Sequence, residues 1–519
     1  MRLPDLKGQK CASAARLTHL EANVLRPERY VPVWRALRRC KCLHNLLTLR
    51  GLAVLGIVSF FEFQVSVHVV HTVPKEWVMN FASNVFRRSV AFGLIGFMLC
   101  VAASAQVSVL TERYDKSRTG ANLAETQLTT SNVNVNSFGK LWSYPVSGSV
   151  FAQPLYVPGV NIPGKGVKNV LYVETMNDVV YAFDADSNSA TPLWSLDLTT
   201  QVAGSTPVPI VDIVQDNTLN IVGNIGIEST PMIDPATNTI YLVARTKESG
   251  RYFQRLHALD TTTGSEKFGG PTVIQGSVPG TGDGSNAGTL TFDPRIENQR
   301  SSLALANGQI YMSWASHEDL NAYHGWVMSY SASTLQQTGI WCSTPNGYEG
   351  GIWMAGWAPA VDAAGNVYYL SGNGTWDTKD FGESILKFGP AQGLPLVDWF
   401  TPDDWATLNG GDIDMGSFGP LLVPGTDLIM GGGKKAIFYV AHTGNLGHEQ
   451  SGNGQIVQLL NNNSDEIKGG PVYWNRSGGV GPWLYIWASN DVLKAYHFNG
   501  STFDTAIMSQ STFAAPGGA

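Results

Sequence analysis

A unit of two short strands joined by a polar turn recurs along this chain about six times, and it constrains the fold more than any other feature. In the first copy, residues 170–173 precede the turn Asn177-Asp178 and residues 179–184 follow it. One such unit cannot bury both of its faces alone, so its recurrence predicts sheets that stack on one another. We therefore predict an all-β protein, a β-propeller of four-stranded antiparallel blades.

Length and composition support this prediction. A chain of 519 residues is too long for one compact core but suits a repeat architecture, in which each unit packs on its neighbours. Glycine is abundant, with 56 residues, and charged residues make up only 14% of the chain. Together with 15 Trp, 18 Tyr and 21 Phe, this composition is typical of many turns that join short aromatic-rich strands.

The first 105 residues differ from the rest of the chain. Residues 79–105 contain Arg87-Arg88, then the apolar run 90–102, then Ala103-Ser104-Ala105. This order of a charged region, an apolar region and a small-residue cleavage site predicts a signal peptide. Because such signals begin at the initiator Met, we interpret residues 1–78 as an over-extended N-terminus rather than a domain. The remaining chain, from residue 106, is then predicted to be secreted or periplasmic.

The charge of the predicted mature chain excludes two classes of partner. Residues 106–519 contain 20 Lys and Arg against 36 Asp and Glu, a net charge of −16. That charge argues against nucleic acid and anionic membranes as partners. We also expect no stable membrane insertion of the mature chain. Cys342 is the single cysteine after residue 105, so no disulfide within this part of the chain is predicted.

Six four-stranded units can be placed between clusters of Gly, Asn, Asp and Pro. Residues 139–146 resemble the outermost strand of a further blade, and the chain restarts a unit at residues 513–518. The pattern therefore predicts about seven blades, with the last incomplete and residues 106–519 truncated at the C-terminus. A six-blade ring with frayed ends is the alternative. The inner strands are predicted to begin near residues 152–154, 229–231, 300–302, 358–360, 419–421 and 470–472, and the second strands to contain Tyr172, Tyr241, Tyr311, Tyr368, Leu428 and Tyr485.

One motif carries a resemblance to a known family. It is formed by Ala258, Asp260, Thr263, Gly264 and Phe268. This spacing resembles the docking motif of pyrroloquinoline-quinone-type propellers, with Phe in place of Trp. Further segments that resemble secreted bacterial quinoprotein-like propeller repeat proteins are residues 114–115, 118–122, 153–156, 226–231, 350–353 and 371–374.

The resemblance implies where a site would lie. Quinoprotein dehydrogenases hold the quinone near the propeller axis on a Trp floor, beside Ca²⁺ and a catalytic Asp, often under a vicinal disulfide. That cysteine pair is absent here, since Cys342 stands alone. Residues at the start of inner strands are expected to face the axis. They are Gln153, Glu228, Arg300, Trp353 and Asp414.

Each axial candidate has a chemical role that its side chain suits. Glu228, Asp412 and Asp414 are candidate Ca²⁺ ligands, because Ca²⁺ takes carboxylate oxygens, and Asp414 is also the candidate catalytic base. Arg300 is a candidate partner for a quinone carboxylate, and Trp353 for stacking on the cofactor. The alternative is that these polar groups line a wet channel or bond neighbouring blades.

Two functions follow, in different classes. The first is a non-catalytic binding or interaction platform for a protein or for a carbohydrate, the latter through Trp353 and Trp357. The second is a dehydrogenase of alcohols or sugars that depends on pyrroloquinoline quinone and Ca²⁺. A quinone-sized axial pocket with convergent carboxylates favours the enzyme, whereas a channel filled by side chains favours the platform.

Overall fold

The structure is a computed structural model that describes residues 107–214, 221–320, 322–476 and 480–514. The predicted over-extended N-terminus, residues 1–78, and the predicted signal peptide, residues 79–105, lie outside the described residues. In the described part, no helix is both long and apolar enough to cross a membrane.

Six antiparallel units follow one another along the chain, and each is built around a run of four strands in sequence order, here called blades 1 to 6. The six predicted inner strands and the six predicted second strands are all confirmed. Blade 1 contains β1 (Leu155–Ile162), β2 (Gly166–Glu174), β3 (Val179–Asp184) and β4 (Trp194–Asp197); blade 2 contains β7 (Met232–Asp234), β8 (Thr239–Glu248), β9 (Arg251–Asp260) and β10 (Thr272–Val273), with β5 (Ser205–Pro209) and β6 (Asn224–Ile225) beside β8. Blade 3 contains β14 (Ala304–Ala306), β15 (Gln309–Ser316), β16 (Trp326–Ser331) and β17 (Gln337–Cys342), with β13 (Glu297–Asn298) paired to the far end of β15.

The later blades are more regular. Blade 4 contains β18 (Ala360–Val361), β19 (Val367–Leu370), β20 (Ile385–Phe388) and β21 (Leu396–Phe400); blade 5 contains β22 (Leu421–Leu422), β23 (Leu428–Gly432), β24 (Ile437–His442) and β25 (Gln458–Asn461); blade 6 contains β26 (Val472–Arg476), β27 (Gly481–Ile486), β28 (Val492–His497) and β29 (Ser509–Ala514). A two-stranded ribbon of β11 (Ser277–Pro279) and β12 (Thr289–Thr291) lies between blades 2 and 3 in the chain, and a short helix α1 (Trp405–Gly410) lies between blades 4 and 5. Single 3-10 turns occur at Leu198–Gln201, Ile210–Asp212, Met354–Gly356, Met415–Ser417 and Ser451–Asn453.

Residues 109–119, here called the central segment, tie the inner strands together. Carbonyl oxygens of this segment accept hydrogen bonds from backbone N–H groups of five different blades. The donors are Tyr156 of blade 1 at 2.9 Å, Ile233 of blade 2 at 2.8 Å, Val361 of blade 4 at 2.8 Å, Leu422 of blade 5 at 3.0 Å and Tyr473 of blade 6 at 2.9 Å. A single short segment can reach five inner strands only where those strands converge on one axis. The blades therefore surround that axis as a β-propeller.

The five donors share a sequence position, because each lies two residues after a proline. The prolines are Pro154, Pro231, Pro359, Pro420 and Pro471. Proline has no N–H, so the inner edge of each blade carries no donor at that point. Two residues later the strand again turns its N–H to the same edge, and the central segment accepts it.

Side chains of the central segment are buried among the blades. The Arg118 guanidinium is 1% exposed and donates to the Pro359 carbonyl of blade 4 at 2.9 Å. Arg113 donates to the Pro471 carbonyl of blade 6 and lies 3.7 Å from the ring centroid of Trp357. These contacts add polar bonds to the backbone pairing, and they place Arg118, a residue of the family resemblance, at the hub of the ring.

The docking motif of blade 2 holds blade 1 against it. Asp260 accepts hydrogen bonds from the backbone N–H groups of Thr262 at 2.9 Å and Thr263 at 3.2 Å, which closes the turn. Gly264 has a φ of +75°, and a Cβ there would stand 2.8 Å from the Trp194 ring of blade 1. Trp194 also donates through its indole nitrogen to the Thr261 carbonyl at 3.0 Å. The motif therefore serves packing between blades, which is one of the roles that its residues suit.

The two ends of the series of blades differ. Within residues 139–146, Pro145 is a β-bridge residue, and Tyr144 is buried against blade 1, where it stacks on Phe183 at 4.5 Å between centroids. The predicted outer strand at these residues stays a prediction. Blade 6 buries Tyr473 on the face toward blade 5, whereas Trp474 on its other face is 43% exposed. The seventh blade stays a prediction.

Candidate functional site

The polar groups near the axis lie at one end of the ring, here called the upper end. It is the end at which inner strands begin and second strands finish. In antiparallel blades these two points are neighbours, so side chains from both strands meet there. The upper end divides into two groups of residues, one on blades 1 to 3 and one on blades 3 to 5.

The first group is the buried network of Asp178, Glu228, Arg245, Glu297 and His317. Arg245, at the end of β8, is 3% exposed and its Nη1 lies 2.6 Å from His317 Nε2. Its Nη2 donates to the Glu297 carbonyl, and its backbone N–H donates to Asp178 at 3.3 Å. Arg245 of blade 2 therefore contacts blade 3 through its guanidinium and blade 1 through its backbone N–H.

Burial controls the protonation of this network. It raises the pKa of the Asp178 and Glu297 carboxyls well above their ordinary values, and it lowers the pKa of Arg245 to about 10. The pKa of His317 lies well below its ordinary value because of burial and because Arg245 and Arg300 are nearby cations. His317 is therefore held neutral, with a ring nitrogen toward Arg245.

Glu228 and Arg300, two of the predicted site residues, lie beside this network. Burial raises the pKa of Glu228 while the charges of Arg300 and Arg245 oppose that rise, and Asn298 hydrogen-bonds its carboxyl. Glu228 Oε2 and Asn298 Oδ1 are buried and have no hydrogen-bond partner among the described residues. The Arg300 guanidinium lies 5.9 Å from the ring centroid of Trp353. The structure thus brings Glu228, Arg300 and Trp353 into one neighbourhood.

Asp412 and Asp414 belong to a different neighbourhood, between blades 4 and 5. Lys434, just after β23, places its ammonium 2.8 Å from Asp412 Oδ1 and 2.7 Å from Asp414 Oδ2. The other Asp414 oxygen accepts the backbone N–H of Asn373 at 2.9 Å. Burial opposes the charge of Lys434, but Asp414 and Asp412 together raise the pKa of its ammonium. Both oxygens of the Asp414 carboxylate are therefore held by donors.

Two more carboxylates face the same region. Asp319, just after β15, accepts a hydrogen bond from the Tyr323 hydroxyl at 3.1 Å. Burial and the charges of Asp319, Asp414 and Asp412 raise the pKa of Glu349. We call Asp319, Glu349, Asp412, Asp414 and Lys434 the acidic basin. Tyr323 and Trp353 meet edge to face beside it, at 5.9 Å between ring centroids.

The loop that carries Glu349 and Trp353 is unusual in its backbone. Glu349 has a φ of +58°, Met354 of +46° and Ala355 of +44°, all in the left-handed region that non-glycine residues rarely adopt. Such conformations persist where surrounding contacts fix them, and they cluster at binding and catalytic sites. The conformation is one more reason to place the candidate site at the upper end of blade 4.

Two other predicted residues have packing roles. Gln153 accepts the backbone N–H of Arg113 at 3.3 Å, so it anchors the central segment. Trp357 is 3% exposed, lies under Arg113 and donates to the Gly469 carbonyl at 3.2 Å. A ring covered in this way is not open to stack on a sugar, whereas Trp353 stays a candidate.

Sequence reasoning missed several residues of the site. The prediction considered only residues at the start of inner strands, such as Glu228, Arg300 and Asp414, as candidates to face the axis. It left out residues at the ends of second strands. A search of those ends would have found Arg245, His317 and Lys434, because each follows or closes the apolar run of its blade. Asp319 and Glu349 lie further from any strand, and no simple spacing signals them.

Comparisons with known proteins describe the fold rather than the activity. No protein-family model matches the chain, and no curated protein sequence matches it. Similar solved structures include the quinohemoprotein alcohol dehydrogenase ADHIIG from Pseudomonas putida HK5, with 16% identity and a TM-score of 0.45, over 79% of this chain and 60% of that one. They also include a europium-containing methanol dehydrogenase, with 14% identity and a TM-score of 0.46, over 80% of this chain and 73% of that one.

A third similar structure is BamB from Moraxella catarrhalis, with 13% identity and a TM-score of 0.35, over 70% of this chain and 89% of that one. The chain spans less than two thirds of the length of the alcohol dehydrogenase. The expected β-propeller is confirmed as a fold, and the strand order and the central segment carry that conclusion.

Proposed function

We propose that this protein is a non-catalytic binding platform that acts outside the cytoplasm, with its site at the upper end of the ring. The observation that carries the proposal is the state of Asp414, the candidate catalytic base. One of its oxygens accepts a backbone N–H at 2.9 Å, and the other pairs with the Lys434 ammonium at 2.7 Å. A general base must reach the proton that it abstracts, and here both oxygens already hold donors.

A dehydrogenase is the second candidate, and one observation favours it. Glu228 Oε2 and Asn298 Oδ1 are buried oxygens without a partner among the described residues, and Ca²⁺ takes such oxygens as ligands. Arg300 is close enough to Trp353 to bind a carboxylate of a quinone above that ring. Glu228, Asn298 and Arg300 therefore fit Ca²⁺ and pyrroloquinoline quinone, which would supply the hydride acceptor for an alcohol.

Quinone-dependent turnover distinguishes the two candidates. The purified full chain is titrated with pyrroloquinoline quinone and CaCl₂ while tryptophan fluorescence is recorded, and it is then assayed for dye-linked oxidation of alcohols and sugars. The platform proposal expects no oxidation, whether or not the quinone quenches the fluorescence. Glu125, an exposed carboxylate outside both groups of site residues, provides the control. Calcium-dependent oxidation that is lost in Glu228→Gln and kept in Glu125→Gln would overturn the proposal.

A further inference from the structure

The acidic basin carries more negative charge than its lysine neutralises. Its four carboxylates face one ammonium group, and the ion pairs of Lys434 are made with Asp412 and Asp414. Asp319 accepts from a tyrosine hydroxyl, which brings no charge. The pKa of Asp319 is raised by burial and by the charges of Asp414 and Asp412. Negative potential therefore remains at the basin beside Asp319 and Glu349.

A buried amide gives an independent sign of a missing donor. Asn373 is 8% exposed, and its Nδ2 donates to Asp412 Oδ1 at 2.8 Å. Its Oδ1 is buried and has no hydrogen-bond partner among the described residues. Rotating the amide would set its oxygen against the Asp412 oxygen, so the observed orientation is the favourable one. A buried acceptor in this place is suited to a donor that arrives with a ligand.

The neighbouring rings suit a cation as well. Trp353 is half-buried and already has the Arg300 guanidinium 5.9 Å from its ring centroid. Tyr323 meets Trp353 edge to face, and its hydroxyl is fixed by Asp319. The faces of aromatic rings attract cations electrostatically, and the effect is larger where water is excluded.

The acceptors near Asp319 and Glu349 suit an ammonium group. An ammonium carries three donors, and Asp319, Glu349 and Asn373 each offer an acceptor oxygen. The backbone holds these parts of the basin together, because the Glu349 N–H donates to the Tyr323 carbonyl at 3.2 Å and the Gly350 N–H donates to the Asn373 carbonyl at 2.6 Å.

We propose that the acidic basin binds the primary ammonium group of a small organic amine, between Asp319, Glu349 and the free oxygen of Asn373. This inference rests on the proposed function, since it names the ligand class of the platform. Lys434 holds Asp412 and Asp414 in place as the fixed half of the site, and the ligand supplies the second cation.

Calorimetric titration of the full chain with putrescine tests the proposal, with the neutral isostere butane-1,4-diol and with CaCl₂ as comparison ligands. We expect saturable binding of putrescine and a roughly 5- to 10-fold weaker affinity in Glu349→Gln and in Asp319→Asn, because each removes one charge at close range. Glu125→Gln, the matched control outside the basin, should bind as the unaltered chain does.

Several results would overturn the proposal. They are no binding of putrescine, equal binding of butane-1,4-diol, tighter binding of CaCl₂ than of putrescine, or unchanged affinity in both basin variants. The quinone assay distinguishes failure of the amine site from failure of the proposed function. Quinone-dependent oxidation would contradict the platform function whatever the putrescine result. Absence of both oxidation and putrescine binding would contradict only the amine site.

Discussion

The buried network and the acidic basin occupy the same end of the ring but have opposite electrostatics. In the network, Arg245 is 3% exposed, and burial raises the pKa of the Asp178 and Glu297 carboxyls and lowers the pKa of His317. In the basin, Lys434 is a partly exposed cation that forms ion pairs with Asp412 and Asp414. Equivalent positions on a repeat therefore differ in how their charges are paired according to how much water reaches them.

Replacing the central cation of each group gives the largest expected effect. Arg245→Met should lower the free energy of unfolding by about 3–5 kcal/mol, because it leaves the buried Glu297 carbonyl without its donor and Glu228 without a nearby cation. Lys434→Met should cost less, about 1–2 kcal/mol, since water can solvate the exposed Asp412 carboxylate and the backbone N–H of Asn373 still donates to Asp414. Urea denaturation of both variants checks the difference. Equal losses would show that the two groups do not differ in burial as the structure indicates.

The second effect concerns Glu174, which ends β2 at the upper end of blade 1. It is 0% exposed, both of its carboxyl oxygens have no partner among the described residues, and burial raises its pKa to about 8. The folded protein therefore keeps a proton that the unfolded chain releases above its ordinary pKa of 4.5. Stability should fall as pH rises from about 4.5 to 8 and then level off.

Glu174→Gln should remove that pH dependence and stabilise the protein by about 2–4 kcal/mol at pH 8. Melting curves between pH 5 and 9 measure this pH dependence, with Glu125→Gln, a change at an exposed carboxylate, as the control. The same slope in Glu174→Gln as in the unaltered chain would mean that Glu174 has a partner or that water reaches it.

The smallest effect tests repulsion within the basin. Glu349→Gln removes one of four mutually repelling carboxylates, so we expect a gain of about 0.5 kcal/mol at low salt that shrinks in 1 M NaCl. Thermal melts at the two salt concentrations give the value. A loss of stability at low salt would indicate that Glu349 makes a favourable contact that outweighs the repulsion.

Much of the fold could be read from local sequence. All six inner strands and all six second strands were predicted, because alternating apolar residues between Gly, Asn and Pro specify strands without tertiary information. The packing of residues 139–146 could not be read in the same way. Tyr144 stacks on Phe183 of blade 1, and nothing in the segment itself reveals that contact.

The sequence by itself determined the repeat, the strand positions and the charged residues that approach the axis, since these depend on local propensity and on period. Only the tertiary structure decided how those charges are paired. Asp414 pairs with Lys434, twenty residues along the chain, whereas Glu228 lies near Arg245 and Arg300 in a different neighbourhood. Burial and distance between blades fix protonation and partners, and neither quantity is written in the order of residues along one strand.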